Sequence, residues 1–134
     1  MGSVSKKLLI FDLDNVLHLA KVSVNQRKAY EARLLPWLQE LKERGILLAV
    51  ASTNGQADET LKAMKIRHFF DHVEADASTY DKTQMLKTIL EKYPHVLISE
   101  ITFFDDDYDN ILVAQKLGIQ AICIAPRTGL PVPL

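Results

Sequence analysis

The 134-residue sequence contains a single cysteine, Cys123, so it cannot form an internal disulfide bond. We therefore expect a reducing, cytoplasmic location, and we interpret Cys123, which lies in the apolar run AICIA, as a buried strand residue. The sequence lacks the roughly 18 consecutive apolar residues that a membrane span needs, and its N-terminal segment MGSVSKK lacks the apolar stretch of a secretory signal. Its net charge is only -1, which gives no indication of a nucleic-acid partner.

The length and composition favour one globular domain. A chain of 134 residues with 48% hydrophobic side chains can bury a core without disulfide or metal cross-links. We therefore predict a single domain over residues 1–134. Within it we interpret residues 1–5 as a disordered or cloning-derived leader, residues 17–25 as a flap and residues 126–134 as a tail.

Short apolar runs alternate with helical patterns along the chain. A helix is predicted near residues 36–44, because Pro36 suits a first helical turn and Gly45 suits the end of a helix. Asp81 is predicted to cap an amphipathic helix whose first turn contains Lys82. This alternation is typical of an α/β fold, here a Rossmann-like three-layer domain with a central parallel five-stranded sheet and no large cap. The predicted strands are residues 6–11, 46–51, 72–75, 100–104 and 119–125, with further helices at 56–65 and 111–118.

Polar side chains follow three of the predicted strands. Asp12 and Asp14 come directly after the first strand. Ser52 and Thr53 follow the second, and the acidic run DDDYDN follows the fourth. Because ligands bind outside the carboxyl ends of parallel strands, these groups are expected to converge on one crevice. Each group alone is more typical of a solvated turn or a helix cap, so their joint order along the chain is the informative feature.

These residue types suit the transfer of a phosphoryl group. Such a transfer needs a nucleophile placed in line with the phosphorus and positive charge close to the phosphate oxygens. Mg²⁺ supplies such charge and prefers oxygen ligands, so Asp12 and Asp106 are candidate metal ligands. Ser52, backbone amides near Thr53 and the ammonium group of Lys82 are candidate phosphate-binding groups.

The order of these groups resembles that of the haloacid dehalogenase (HAD) superfamily of aspartyl phosphotransferases, and within it the small magnesium-dependent phosphatases. The first family motif, an apolar strand followed by Asp-x-Asp-x-Thr/Val, matches Asp12, Asp14 and Val16. The match implies that Asp12 is the nucleophile and that Asp14 is the general acid and base. The resemblance extends through the segments LLIFDLDNV, GILLAVAST, DKTQMLKTIL, ITFFDDDYDNI and KLGIQAICI.

The second and third family motifs imply phosphate-binding residues. The second motif is a Ser or Thr at the end of the second strand, and it falls on Ser52, with Thr53 as the alternative. The third motif is a lysine, which we identify with Lys82. Lys65 and Lys87 compete for this assignment, because a single lysine has little specificity.

The fourth family motif is usually Gly-Asp-x-x-x-Asp, and here it reads Asp105-Asp106 with Asn110 at the last position. The resemblance implies that Asp106 is a metal ligand and that Asp105 and Asn110 support the site. One acidic residue of this cluster is expected to hydrogen-bond the motif-three lysine, while Asp107 or Asp109 caps the following helix. The Mg²⁺ ligands implied by the resemblance are Asp12, Asp106 and the backbone carbonyl of Asp14.

The resemblance implies a Mg²⁺-dependent phosphomonoester hydrolase that forms an aspartyl-phosphate on Asp12. About 40 residues separate Asp12 from Ser52 and about 30 separate Ser52 from Lys82, which is too short for a separate cap domain. We therefore expect an open site that admits a phosphorylated small molecule, sugar or protein. His18 and Lys21 are candidates for contact with the leaving group, although a solvated flap is the simpler interpretation.

Two other functions remain open at this point. A receiver-type phosphoacceptor signalling domain has a similar length and layering, several aspartates, a hydroxyl residue and a lysine. In a receiver domain, however, the hydroxyl and the lysine follow the fourth and fifth strands, whereas Ser52 and Lys82 precede the acidic cluster here. The second alternative is a catalytically inactive binding protein with the HAD fold, and the intact set of motif residues argues against it.

Overall fold

Five parallel strands form the centre of the computed structural model, which describes residues 7–79 and 81–132. The interpreted leader and residues 133–134 of the predicted tail lie outside the described residues. The strands are β1 (Leu8–Phe11), β2 (Leu47–Ser52), β3 (His72–Ala75), β4 (Ile101–Asp105) and β5 (Gln120–Cys123). The helices are α1 (Val24–Glu43), α2 (Ala57–Ala63), α3 (Thr83–Lys92) and α4 (Tyr108–Lys116), and short 3₁₀ helices lie at Arg67–Phe69 and Ile98–Glu100.

The strands lie in the order β3-β2-β1-β4-β5, and each neighbouring pair is parallel. Leu8 of β1 pairs with Leu47 on one side and with Ile101 on the other, so β1 is the central strand. This sheet confirms the predicted α/β fold class. Receiver domains order their strands 2-1-3-4-5, so the observed topology removes the receiver alternative.

The central strands are buried on both faces and contribute to two apolar cores, because successive side chains of a strand point to opposite faces. On one face Phe11 packs edge to face against Trp37 of α1, with ring centroids 6.0 Å apart. On the other face Ile10 belongs to a core that includes Leu86 of α3 and Ile111 of α4. This burial leaves only the strand ends available for polar chemistry.

Helix α1 is longer than predicted, because it begins at Val24 and carries Pro36 in its interior. Ser23 starts the helix: its Oγ accepts a hydrogen bond from the Gln26 N–H at 3.1 Å, and Gln26 Oε1 accepts one from the Ser23 N–H at 3.0 Å. The prediction of a start at Pro36 was wrong, because the proline removes one hydrogen bond on the exposed side while the buried stripe continues past it. That stripe comprises Tyr30, Leu34, Trp37, Leu38 and Leu41. None of the helices in the described part of the chain has the length and apolar character needed to cross a membrane.

The segment interpreted as a flap, residues 17–25, contains both buried and exposed positions. Leu17 and Leu19 are buried in the same core as α1, whereas His18 is half-buried and Lys21 is exposed. The last two residues of the segment form the start of α1. The two leucines therefore anchor the first part of this segment to the domain.

Cys123 is exposed, contrary to its expected burial. It ends β5, which is an edge strand with a neighbour on one side only. The side chain of Ile122 is likewise 39% exposed. The apolar run AICIA indicated a strand correctly, but it did not distinguish an edge strand from a central one.

Candidate active site

The polar ends of β1, β2 and β4 border one crevice of about 220 Å³. Its position agrees with the rule that ligands bind outside the carboxyl ends of parallel strands. Ser52 does not line this crevice, and neither do His18 and Lys21, the candidates for contact with the leaving group. The lining residues are Asp12, Asp14, Asn15, Thr53, Lys82, Asp105, Asp106, Asp107 and Asn110.

Lys82 connects the ends of β1 and β4. Its side chain is 2% exposed, and its Nζ donates hydrogen bonds to Asp12 Oδ1 and to Asp105 Oδ2, both at 2.8 Å. Lys65 and Lys87, the competing lysines, are exposed. Of the three candidates, Lys82 is the one whose ammonium group reaches the crevice.

Aspartates precede the two helices that carry these groups. The predicted cap at Asp81 was wrong by one residue, because the N-cap residue of α3 is Lys82, which therefore lies just before the first turn. Asp81 Oδ1 accepts a hydrogen bond from the Thr83 N–H at 2.8 Å, directly where α3 begins. Asp107 Oδ1 accepts one from the Asp109 N–H at 2.9 Å and caps α4. The Asp107 N–H in turn donates to Asp105 Oδ1 at 2.9 Å. These hydrogen bonds hold the backbone on both sides of the crevice in place.

The buried charges of the crevice are not balanced. Burial raises the pKa of Asp12 to about 8, because desolvation outweighs the attraction of the Lys82 ammonium group. Burial also raises the pKa of Asp105 against the same attraction. Desolvation disfavours the charged form of Lys82, but Asp12 and Asp105 outweigh this effect and raise its pKa. A further cation near these carboxylates would therefore favour the ionised form of Asp12.

Three carboxylates lie close enough together to hold such a cation. One oxygen from each of Asp12, Asp105 and Asp106 lies within 4.8 Å of the other two. Two ligand atoms of one Mg²⁺ are at most about 4 Å apart, since each bond is about 2.1 Å long, so this set of hard oxygen donors fits Mg²⁺ after small side-chain rotations. Asp105 is a weaker candidate than the other two, because Lys82 and the Asp107 N–H already hydrogen-bond its two oxygens.

Asp14 lies beside this cluster with a side chain that is 44% exposed. Its Oδ2 accepts a hydrogen bond from Asn54 Nδ2 at 3.3 Å. Its Oδ1 lies 3.7 Å from Nδ1 of His18. The carboxylate is therefore accessible from the crevice while side chains from two loops stand on either side of it.

The two hydroxyl residues at the end of β2 differ in position. Ser52 is 1% exposed, and its Oγ accepts a hydrogen bond from the Asn54 N–H at 3.0 Å. Thr53 is half-buried and lines the crevice. On the opposite side, Asn110 is 7% exposed and lines the crevice from α4.

Sequence reasoning missed Asn15 and Asn54. Asn15 has a φ of 67°, in the left-handed region that asparagine tolerates better than most residues, and it turns the chain sharply after Asp14. Its Nδ2 donates to Asp106 Oδ2 at 3.2 Å, which joins the first loop to the acidic cluster. The available signals were an asparagine directly after the second aspartate and another directly after the hydroxyl pair.

Solved structures of other proteins share this fold. A haloacid dehalogenase-like hydrolase from Streptococcus pneumoniae has a TM-score of 0.67 at 17% identity, covering 94% of this chain and 88% of that one. A β-phosphoglucomutase from Clostridium difficile has a TM-score of 0.68 at 10% identity, covering 90% and 85%. A protein described as a predicted phosphoglycolate phosphatase from Haemophilus somnus has a TM-score of 0.65 at 15% identity, covering 91% and 86%. At these identities the likeness shows the fold alone.

Residues 19–124 match the family model of the haloacid dehalogenase-like hydrolases. The match covers most of the sequence, so the chain belongs to this family. It begins after Asp12 and Asp14, so the assignment does not depend on the motif of the expected nucleophile. A search of curated proteins found no significant sequence match.

Proposed function

We propose that the protein is a Mg²⁺-dependent phosphomonoester hydrolase that acts through an aspartyl-phosphate on Asp12. The observation that carries this proposal is the convergence of charged groups from separate strands. Lys82 Nζ lies 2.8 Å from Asp12 Oδ1, and the carboxylates of Asp12, Asp105 and Asp106 lie within 4.8 Å of one another. Membership of a hydrolase family supports the same conclusion.

Asp12 offers one carboxylate oxygen for attack on phosphorus. Its hydrogen bonds from the Leu13 N–H and from Lys82 both go to Oδ1, which leaves Oδ2 as the proposed nucleophilic atom. As the bond from Oδ2 to phosphorus forms, the bond from phosphorus to the leaving alcohol breaks. Asp14 donates a proton to that leaving oxygen.

Hydrolysis of the aspartyl-phosphate restores the enzyme. Asp14 takes a proton from the attacking water, the bond between Asp12 and phosphorus breaks, and inorganic phosphate leaves. Donors at Ser52 and Thr53, together with Lys82, are proposed to bind the phosphate oxygens. Mg²⁺, held by Asp12, Asp106 and the Asp14 carbonyl, would supply the positive charge that phosphoryl transfer needs.

The substrate range follows from the open crevice. Between Asp12 and Ser52 the described chain contains a loop and α1, and no separate domain that could cover the crevice. We therefore propose phosphorylated sugars, other small molecules or phosphoproteins as substrates. The single cysteine supports a cytoplasmic location, since no disulfide can form within the chain.

Hydrolysis of p-nitrophenyl phosphate tests the proposal. We expect multiple turnovers with Mg²⁺ and none after treatment with EDTA. Asp12→Asn should lower kcat by at least about a thousandfold, as removal of a covalent nucleophile does in other enzymes. Asp58→Asn on the surface of α2 is the matched control and should keep wild-type activity. Equal activity in Asp12→Asn would exclude Asp12 as the nucleophile, while inactivity of the wild type would favour a binding protein.

A further inference from the structure

His18 has a buried polar atom next to Asp14. The Nδ1 atom of its ring is buried and has no hydrogen-bond partner among the described residues. The carboxylate oxygen Oδ1 of Asp14 lies 3.7 Å away, slightly beyond hydrogen-bond distance. Unpaired buried polar atoms are costly and therefore rare. A small rotation of the exposed Asp14 side chain would satisfy both groups.

Backbone hydrogen bonds fix the turn that carries both Asp14 and His18. The N–H groups of Leu17 and His18 both donate to the Leu13 carbonyl at 2.9 Å, and the Asn15 N–H donates to the His18 carbonyl at 2.7 Å. Leu13 and Leu17 are fully buried. The tight turn between them therefore fixes the backbone of His18 next to that of Asp14, so that the two side chains are neighbours.

Asn54 acts on the other oxygen of the same carboxylate. Its Nδ2 donates to Asp14 Oδ2 at 3.3 Å, and its Oδ1 accepts a hydrogen bond from the Gln56 N–H at 2.9 Å. The second contact fixes the orientation of the amide group. Asp14 thus has a donor from the loop after β2 on one side and an imidazole nitrogen from the loop after β1 on the other.

We propose that His18, through Nδ1, and Asn54, through Nδ2, are positioning residues that orient the Asp14 carboxyl group for proton transfer to alkyl leaving groups. The inference rests on the proposed function, because it assumes that Asp14 protonates the leaving oxygen. An alkoxide is a poor leaving group and needs that proton, whereas p-nitrophenolate leaves without it. Correct orientation of Asp14 therefore matters most for phosphate esters of aliphatic alcohols.

The values of kcat/KM for β-glycerophosphate and p-nitrophenyl phosphate test this role. We expect His18→Ala to lower the first value on the order of tenfold, the worth of one charge-assisted hydrogen bond, and to change the second by less than about twofold. Asn54→Ala should show the same selectivity. His18→Asn, whose amide group reaches the place of Nδ1, should restore most of the loss, whereas His18→Gln, which reaches the place of Nε2, should not. His95→Asn, at an exposed histidine, is the control.

The outcomes separate this inference from the proposed function. If His18→Ala lowers kcat/KM equally for both esters, or if His18→Asn and His18→Gln restore it equally, the role of His18 is merely structural and the inference is overturned. If the wild type hydrolyses neither ester, the proposed function fails. The ring-nitrogen resonances of His18 then decide whether the pair exists: they should move in Asp14→Ala while those of His95 remain in place. Unchanged His18 resonances would overturn the contact itself.

Discussion

Two groups of buried polar atoms in this protein have opposite characters. Around Lys82, buried carboxylates outnumber the ammonium group, and burial raises the pKa of Asp12 to about 8. The hydrogen bonds of Tyr30, in contrast, join uncharged groups: its hydroxyl donates to the Val16 carbonyl at 2.5 Å and accepts from the Leu130 N–H at 3.0 Å. In this neutral group the hydroxyl, the carbonyl and the N–H all have hydrogen-bond partners. The group also joins three segments of the chain, as a stabilising network does. The charged group is left with an imbalance that a bound cation can relieve, which is typical of a functional site.

Removal of Lys82 should disturb the charged group most. In Lys82→Met two buried carboxylates lose their cation, so we expect the free energy of unfolding to fall by about 3–5 kcal/mol and hydrolysis to be lost. Urea unfolding at neutral pH measures the change. Lys62→Met, which removes an exposed partner of Asp58, is the control and should have little effect. A loss no larger than that of the control would mean that the two carboxylates do not depend on Lys82 for their burial.

A methyl group at Gly129 should disturb the neutral group. Gly129 has a φ of 68°, and a Cβ there would lie 2.7 Å from Tyr30 Cζ and 2.9 Å from Leu19 Cδ2. We expect Gly129→Ala to lower the free energy of unfolding by about 2–4 kcal/mol, from backbone strain and overpacking together. Gly45→Ala measures the backbone strain alone, because Gly45 has a φ of 77° and a Cβ there would meet nothing within 4 Å beyond its chain neighbours. We expect this substitution to lower the free energy of unfolding by about 1–2 kcal/mol. Urea unfolding measures both changes. Equal losses of unfolding free energy in the two variants would show that the space next to Tyr30 accommodates the added methyl group.

The sequence predicted those features that depend on local pattern. Short apolar runs followed by polar residues, such as Asp12 and Ser52, indicated the strands. The same pattern indicated the crevice, because parallel strands end at one edge of a sheet. The placement of Pro36 in the first turn of α1 was wrong, since the cap at Ser23 and the buried stripe outweigh the effect of the proline. The exposure of Cys123 depends on which strand lies at the edge, and the contact of Asn54 with Asp14 depends on how two loops meet. Neither feature can be predicted from a local sequence pattern, because both depend on the tertiary structure.

The mildest change to the neutral group is Tyr30→Phe, which keeps the ring and removes only the hydroxyl. The Val16 carbonyl and the Leu130 N–H would lose their partner in a buried place. We expect the free energy of unfolding to fall by about 1–3 kcal/mol, as for other buried groups left unpaired. Urea unfolding of both proteins at pH 8 gives this difference, and a value near zero would mean that water replaces the hydroxyl.

The wild type and Tyr30→Phe also test whether folding raises the pKa of the Tyr30 hydroxyl. Desolvation raises the pKa of Tyr30 to about 12, above the value of about 10 in an unfolded chain. A group whose pKa is raised by folding contributes its full stabilisation below the unfolded pKa and loses it as the pH rises through the folded pKa. The stability difference between wild type and Tyr30→Phe should therefore be constant up to about pH 9 and shrink between about pH 10 and 12. Other groups titrate in this range too, but they are present in both proteins, so the difference isolates Tyr30. A difference that stays constant through this range would show that the hydroxyl ionises as readily in the folded protein as in the unfolded chain.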